Sequence, residues 1–259
     1  MRSRPAFAGR RALSLCCAVL ALPAAFAQVA VPDLIAQGMA QDARLDTSQA
    51  LQSFLQAEKL APHDANVLWR VAREYALSMD DTRLKDEQRA RGEHALAYAE
   101  RAVSADPNNA QAQLSVAICY GRLEPLVDTR AKINYSRLIK QHADSAVALD
   151  PTDSYAYHVL GVWNYELARL SPLLRALARA VYGAVPPASF QAARDYLLQA
   201  AQLAPARVAH RVELGRTYAA LGEKDLARQE LVLALSLPDR EKDDPESKRR
   251  ARAALQELD

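Results

Sequence analysis

The chain has 259 residues, half of them hydrophobic and a quarter charged, which points to a globular protein of one or two domains. Only 8 glycines and 3 cysteines argue against a glycine-rich nucleotide fold, a disulfide framework and a four-cysteine zinc site. The formal charge of +2 becomes 29 basic against 31 acidic residues once residues 1–27 are set aside, so the charge balance makes no case for nucleic acid.

Residues 1–27 read as an export signal. Met1 to Arg11 is cationic, Ala12 to Ala27 is mostly apolar, and Ala25-Phe26-Ala27 is the small-x-small pattern that a signal peptidase accepts. Cleavage is therefore expected after Ala27, with a periplasmic location and residues 28–259 forming one domain. The apolar run, about sixteen residues, is short for a membrane span. An uncleaved anchor and a mitochondrial presequence are the alternatives. Cys16 and Cys17 leave with the signal, and Cys119, within Val116-Ala117-Ile118-Cys119-Tyr120, reads as a small buried apolar residue.

From residue 31 onward one pattern recurs: an alanine (isoleucine in one unit), another alanine seven positions on, and a proline five positions later. It runs Ala50-Ala57-Pro62, Ala95-Ala102-Pro107, Ile139-Ala146-Pro151 and Ala193-Ala200-Pro205, with Ala227-Ala234 followed one residue early by Pro238. After each of the first four prolines comes another helical segment: Leu68-Val71-Ala72-Tyr75, Val116-Ala117-Tyr120, Tyr157-Leu160-Gly161, then Leu214-Gly215-Tyr218. Small residues seven apart share a helix face and admit a close partner, and proline stops each second helix. The pattern resembles the tetratricopeptide repeat, a stack of antiparallel helix pairs. The expected fold is an all-α solenoid of about five pairs, since no single pair buries its own apolar face.

The intervals between the prolines are 45, 44, 54 and 33 residues, against about 34 for a regular unit. Insertions are therefore expected near Asp80–Arg91, Glu124–Arg137 and Tyr165–Pro187; the first two should lengthen the helices that follow them. Asp244-Pro245-Glu246 starts a last helix, with Ala251, Leu255 and Leu258 on one face as a cap.

The irregular spacing carries a second resemblance. Ala131-Lys132-Ile133, Ile139-Lys140-Gln141-His142 and Leu149-Asp150-Pro151 lead into His158-Val159-Leu160-Gly161-Val162-Trp163-Asn164-Tyr165. Val185-Pro186-Pro187, Ala200 to Pro205 and Leu214-Gly215-Arg216-Thr217-Tyr218 follow. Together they resemble the regulator of microtubule dynamics family, over roughly Ala65 to Leu258. The resemblance implies a non-enzymatic adaptor with protein or membrane-associated partners and no catalytic residues. Two departures stand out: Asn164 occupies a position that is commonly cysteine in the family, and an exported protein would not meet microtubules.

The five histidines are scattered without a metal-binding spacing, so no metal or cofactor is expected and each histidine reads as a surface or packing residue. Trp69 and Trp163 read as packing residues too. Asp80-Asp81 and Asp243-Asp244 are read as helix starts, and Lys248-Arg249-Arg250 as a solvated face. One stretch rises above this background. Leu170 to Tyr182 places Leu174, Leu177 and Tyr182 on an apolar stripe, with Arg175 and Arg179 one turn apart. It reads either as an extra packed helix or as a basic amphipathic helix touching lipid headgroups or an acidic partner. The leading function is a scaffold holding a protein or peptide in its concave groove; the alternative is a lipid-binding module.

Overall fold

A computed structural model describes residues 30–171, 176 and 187–258. Among them are eleven α-helices and no strand. They are α1 (Val31–Asp42), α2 (Thr47–Leu60), α3 (Ala65–Ser78), α4 (Lys85–Ala105), α5 (Ala110–Leu123) and α6 (Thr129–Leu149). Then come α7 (Ser154–Arg169), α8 (Phe190–Leu203), α9 (Val208–Ala220), α10 (Lys224–Ser236) and α11 (Asp244–Leu258).

The recurring alanines explain how the helices pair. Ala50, Ala57, Ala95, Ala102, Ala146, Ala193, Ala200, Ala227 and Ala234 have no exposed surface, because each lies where a neighbouring helix comes closest. Glycines answer them on the first helix of a pair. A Cβ on Gly161 would stand 2.5 Å from Leu197 Cγ and 3.3 Å from the Ala193 carbonyl, and one on Gly215 would stand 2.7 Å from Leu231 Cγ. A Cβ on Gly38 would likewise run into the ring of Phe54. Five pairs result: α1/α2, α3/α4, α5/α6, α7/α8 and α9/α10.

The turns between pairs are built by their side chains. Pro62, Pro107, Pro151 and Pro205 each follow a second helix within two residues of its end. The next helix is then capped locally: Asp64 Oδ1 accepts from Asn66 N, Asn109 Oδ1 from Ala112 N, and Asp153 Oδ1 from Tyr155 N at 2.7–3.0 Å. The first two insertions behave as expected. Each adds a short 3-10 turn, Met79–Asp81 and Glu124–Leu126, ahead of a 21-residue helix, α4 and α6. The third falls mostly outside the described residues.

The core is distributed along the stack. One cluster joins Leu34, Phe54 and Val71, a second centres on Val116, Cys119 and Trp163, and a third joins Leu197, Leu214, Leu231 and Ala251. Helix α11 closes the last pair with Ala251 and Leu258 buried, as expected of a capping helix.

Candidate functional site

Helices α3, α5, α6 and α7 from three successive pairs line a cavity of about 1210 Å³. One wall is apolar: Trp69 and Leu77 from α3, Ile118 from α5, Ile133 from α6, and Val162 and Leu167 from α7. Trp69 and Leu77 stand two helical turns apart on one face of α3. A charged rim interleaves with this wall: Arg73 stands between Trp69 and Leu77 on α3, Arg122 one turn beyond Ile118 on α5, and Arg207, Glu241, Lys242 and Asp243 complete it. Trp163 packs as expected: 5% exposed, its Nε1 donates to the Ser136 carbonyl at 2.8 Å. Trp69 packs on Leu68, Ala102 and Ala112, with the Arg70 guanidinium 4.2 Å from its ring centre, and both tryptophans border the cavity.

The charged rim is held by a loop. Residues 237–243 connect α10 to α11, and their side chains bridge the array. Tyr155 Oη donates to Glu241 Oε2 at 2.5 Å, Arg207 Nη2 lies 3.1 Å from Glu241 Oε1, and Arg122 Nη2 lies 3.7 Å from Asp243 Oδ2. Lys242 Nζ reaches Asp81 Oδ1 at 2.6 Å. Burial, and then the Glu241 carboxylate, push Tyr155 well above the usual phenol range, so its hydroxyl is the donor. Burial also raises Glu241.

Two readings of charged residues are corrected here. Asp80 and Asp81 end α3 in a 3-10 turn rather than starting a helix, and they pair with Arg122 (2.9 Å) and Lys242. Asp243 lies in the loop, while Asp244 does begin α11 and accepts from the backbone N–H groups of Arg240 and Glu241. Lys248-Arg249-Arg250 is not one solvated face. Lys248 pairs with Asp239 at 2.6 Å and Arg250 with the buried Glu213 at 2.7 Å, while Arg249 is the most exposed of the three.

Two of the scattered histidines meet. His158 Nδ1 and His210 Nδ1 are 3.1 Å apart, and the edge of Tyr155 packs against both rings. Burial lowers His158 to about 4, against the opposing pull of Glu213. Burial followed by the neighbouring His158 drives His210 further down. Both are therefore neutral, one donating and the other accepting. The third acidic member near the loop, Asp244, lies with Glu241 and Asp243 so that one oxygen of each falls within 4.8 Å of the others. Two of these carboxylates already face cations, and the third holds backbone N–H groups.

Leu174, Arg175, Leu177, Arg179 and Tyr182 lie outside the described residues; Leu170, where that stretch begins, borders the cavity. Asn164 Nδ2 donates back to the Leu160 carbonyl at 2.8 Å, satisfying a buried amide. Cys119 is buried, and burial pushes its thiol up to about 12.

With the stacked pairs and their insertions in place, the profile described as "Regulator of microtubule dynamics protein 1-3" matches residues 34–259. The chain belongs to that family. The match begins earlier than the resemblance from Ala65 onward, so it takes in the α1/α2 pair. Among family members, regulator of microtubule dynamics protein 1 of Bos taurus is 31% identical over 180 residues, 68% of this chain and 56% of the relative. Protein 3 of Xenopus laevis is 30% identical over 200 residues, 77% of this chain and 43% of the relative. The chain thus spans about half the length of the curated relatives it matches. A thermophilic TPR protein of Thermus thermophilus superposes with a TM-score of 0.62 at 19% identity, covering 88% of this chain and all of that one. Pseudomonas aeruginosa pilF gives 0.53 at 15% identity over 88% and 90% of the two chains. Both are likenesses of fold: an all-α helical-repeat scaffold.

Proposed function

We propose that the chain is a non-enzymatic scaffold whose concave groove holds a segment of another protein. The observation that carries this is the cavity of about 1210 Å³ walled by α3, α5, α6 and α7 of consecutive pairs and lined by apolar and charged side chains together. Repeat stacks use such concave faces for extended partners, and an amphipathic cleft offers an apolar anchor beside orienting charges. The charged groups of the rim neutralise one another across the groove, an arrangement suited to binding rather than to an activated nucleophile. A photo-crosslinker placed at Ile118 or Val162 should capture a partner protein. The same group at Val232, on the exposed face of α10, should not. Equal capture at both places overturns the groove reading.

A second reading rests on the apolar wall, which would also suit an acyl chain. In that case lipid should co-purify with the mature protein and be lost in Val162→Glu, as read by native mass spectrometry. The Leu170 to Tyr182 stretch belongs to this reading, with Arg175 and Arg179 contacting anionic headgroups. Changing both arginines to glutamate should weaken vesicle binding in a salt-sensitive manner without altering thermal unfolding. We further propose export with cleavage after Ala27; N-terminal sequencing of fractionated cells decides it, and intact Met1 in the cytoplasm overturns it.

A further inference from the structure

We infer that the charged rim of the groove is a receptor for an acidic peptide segment, and that the chain's own Glu241–Asp243 turn occupies it. This deepens the scaffold reading and rests on it. The connection from α10 to α11 takes seven residues, 237–243, where the other inter-pair turns after α2, α4, α6 and α8 take four. The extra length goes into the groove. There the turn touches the second, third and fourth pairs and the start of the fifth through Asp81, Arg122, Tyr155 and Arg207.

The receptor side is complementary to carboxylates. Arg207 is fixed before it meets Glu241, because its guanidinium lies 4.1 Å from the Tyr155 ring centre. Tyr155 adds a neutral, partly buried donor whose hydroxyl lies 2.5 Å from Glu241 Oε2. Arg122 is anchored on the far side by Asp80 and by the Ala76 carbonyl at 3.2 Å, so it presents its remaining N–H groups to Asp243. Three donors from three different elements thus converge on two carboxylates of a segment only three residues long. The turn itself is held to the N-terminal half by one further pair, Lys242 with Asp81, whose side chains are 20% and 48% exposed. An exposed pair contributes little. Tethering, through a high effective concentration, is what lets the turn outcompete a free peptide.

The test uses a fluorescent peptide of the sequence of residues 238–244 as probe, titrated into the mature protein. Glu241→Gln with Asp243→Asn removes the resident charges isosterically, and Lys242→Glu separately breaks the tether to Asp81 while leaving Arg122, Tyr155 and Arg207 intact. The isosteric variant should bind the probe at least about tenfold more tightly than the unmodified protein, and Lys242→Glu by a smaller factor in the same direction, because the pair it breaks is partly exposed. Added salt should weaken that binding, and Arg207→Ala added to the variant should abolish it. If the isosteric variant does not fold, Lys242→Glu decides alone. Probe binding no tighter than to the unmodified protein, or equal binding of a probe with its acids changed to amides, overturns the inference. Groove crosslinks that persist unchanged in both variants would leave the scaffold reading standing and overturn this one. A probe that binds the variants where groove crosslinks capture nothing would do the reverse.

Discussion

His158 and His210 face each other Nδ1 to Nδ1 at 3.1 Å in the seam between α7 and α9, both neutral and both desolvated. In the unfolded chain each titrates near 6.5. Between about 4 and 6.5 the unfolded state therefore binds more protons than the folded one, and stability contributed by this pair falls as pH drops through that window. Above 6.5 it is fully present. Replacing both histidines with leucine removes the proton-linked loss. The melting temperature of the double variant, relative to the unmodified protein, should rise between pH 7.5 and pH 4.5, by roughly 5 °C. A constant difference across that range would show that the pair is solvated.

Glu74 works in the opposite direction. It has no exposed surface, and burial raises its carboxyl to about 7, despite Arg73 Nη1 at 2.8 Å from Oε1. Here the folded state binds the extra proton, so stability is greatest below about 4.5 and is lost as pH rises through 7. Glu74→Gln mimics the protonated form. Whatever its constant offset from losing the charge pair with Arg73, its relative melting temperature should improve from pH 5 to pH 8. An improvement on acidification instead would reverse the assignment.

Gly161 and Gly222 play different roles in the fold. A Cβ at Gly161 runs into Leu197, whereas one at Gly222 meets nothing within 4 Å and suffers only from a φ of +81°. Gly161→Leu must push α7 from α8 and should cost about 3 kcal/mol or more. Gly222→Ala strains one residue in the left-handed region, about 1–2 kcal/mol. Urea unfolding of the two variants side by side should rank them in that order.

The parts of this fold that were legible in the sequence are those set by short spacings. Ala95 and Ala102 share a face through the helical period alone, and Pro107 ends their helix through its missing N–H. Even the lengthened α4 and α6 followed from the proline intervals. The His158–His210 contact was not legible, because it depends on how far one pair rotates against the next, which no local pattern encodes. The same holds for Tyr155 and Glu241, and for Asp81 and Lys242, which lie in different pairs and meet only because the superhelix curves. Asp80-Asp81 looked like a helix start because acids favour that position; the turn after α3 uses them instead as partners for cations arriving from elsewhere.

The same long-range logic separates two neighbouring arginines on α11. Glu213 is 2% exposed, and its two oxygens are taken by Arg216 Nη1 at 2.6 Å and Arg250 Nη1 at 2.7 Å. Arg250→Ala leaves this buried carboxylate with one cation and loosens α11 from α9. Uncompensated buried charge is costly, but the Arg250 side chain is 41% exposed, so screening limits the loss to about 1–2 kcal/mol. Arg249 pairs only with Glu246 on the outer face of the same helix. Arg249→Ala should leave the melting temperature where it is, because water replaces what the pair supplied. Adding Glu213→Gln to Arg250→Ala should recover part of the loss, since an amide needs no counter-charge. If Arg249→Ala and Arg250→Ala melt together, the contact with Glu213 contributes nothing to holding α11.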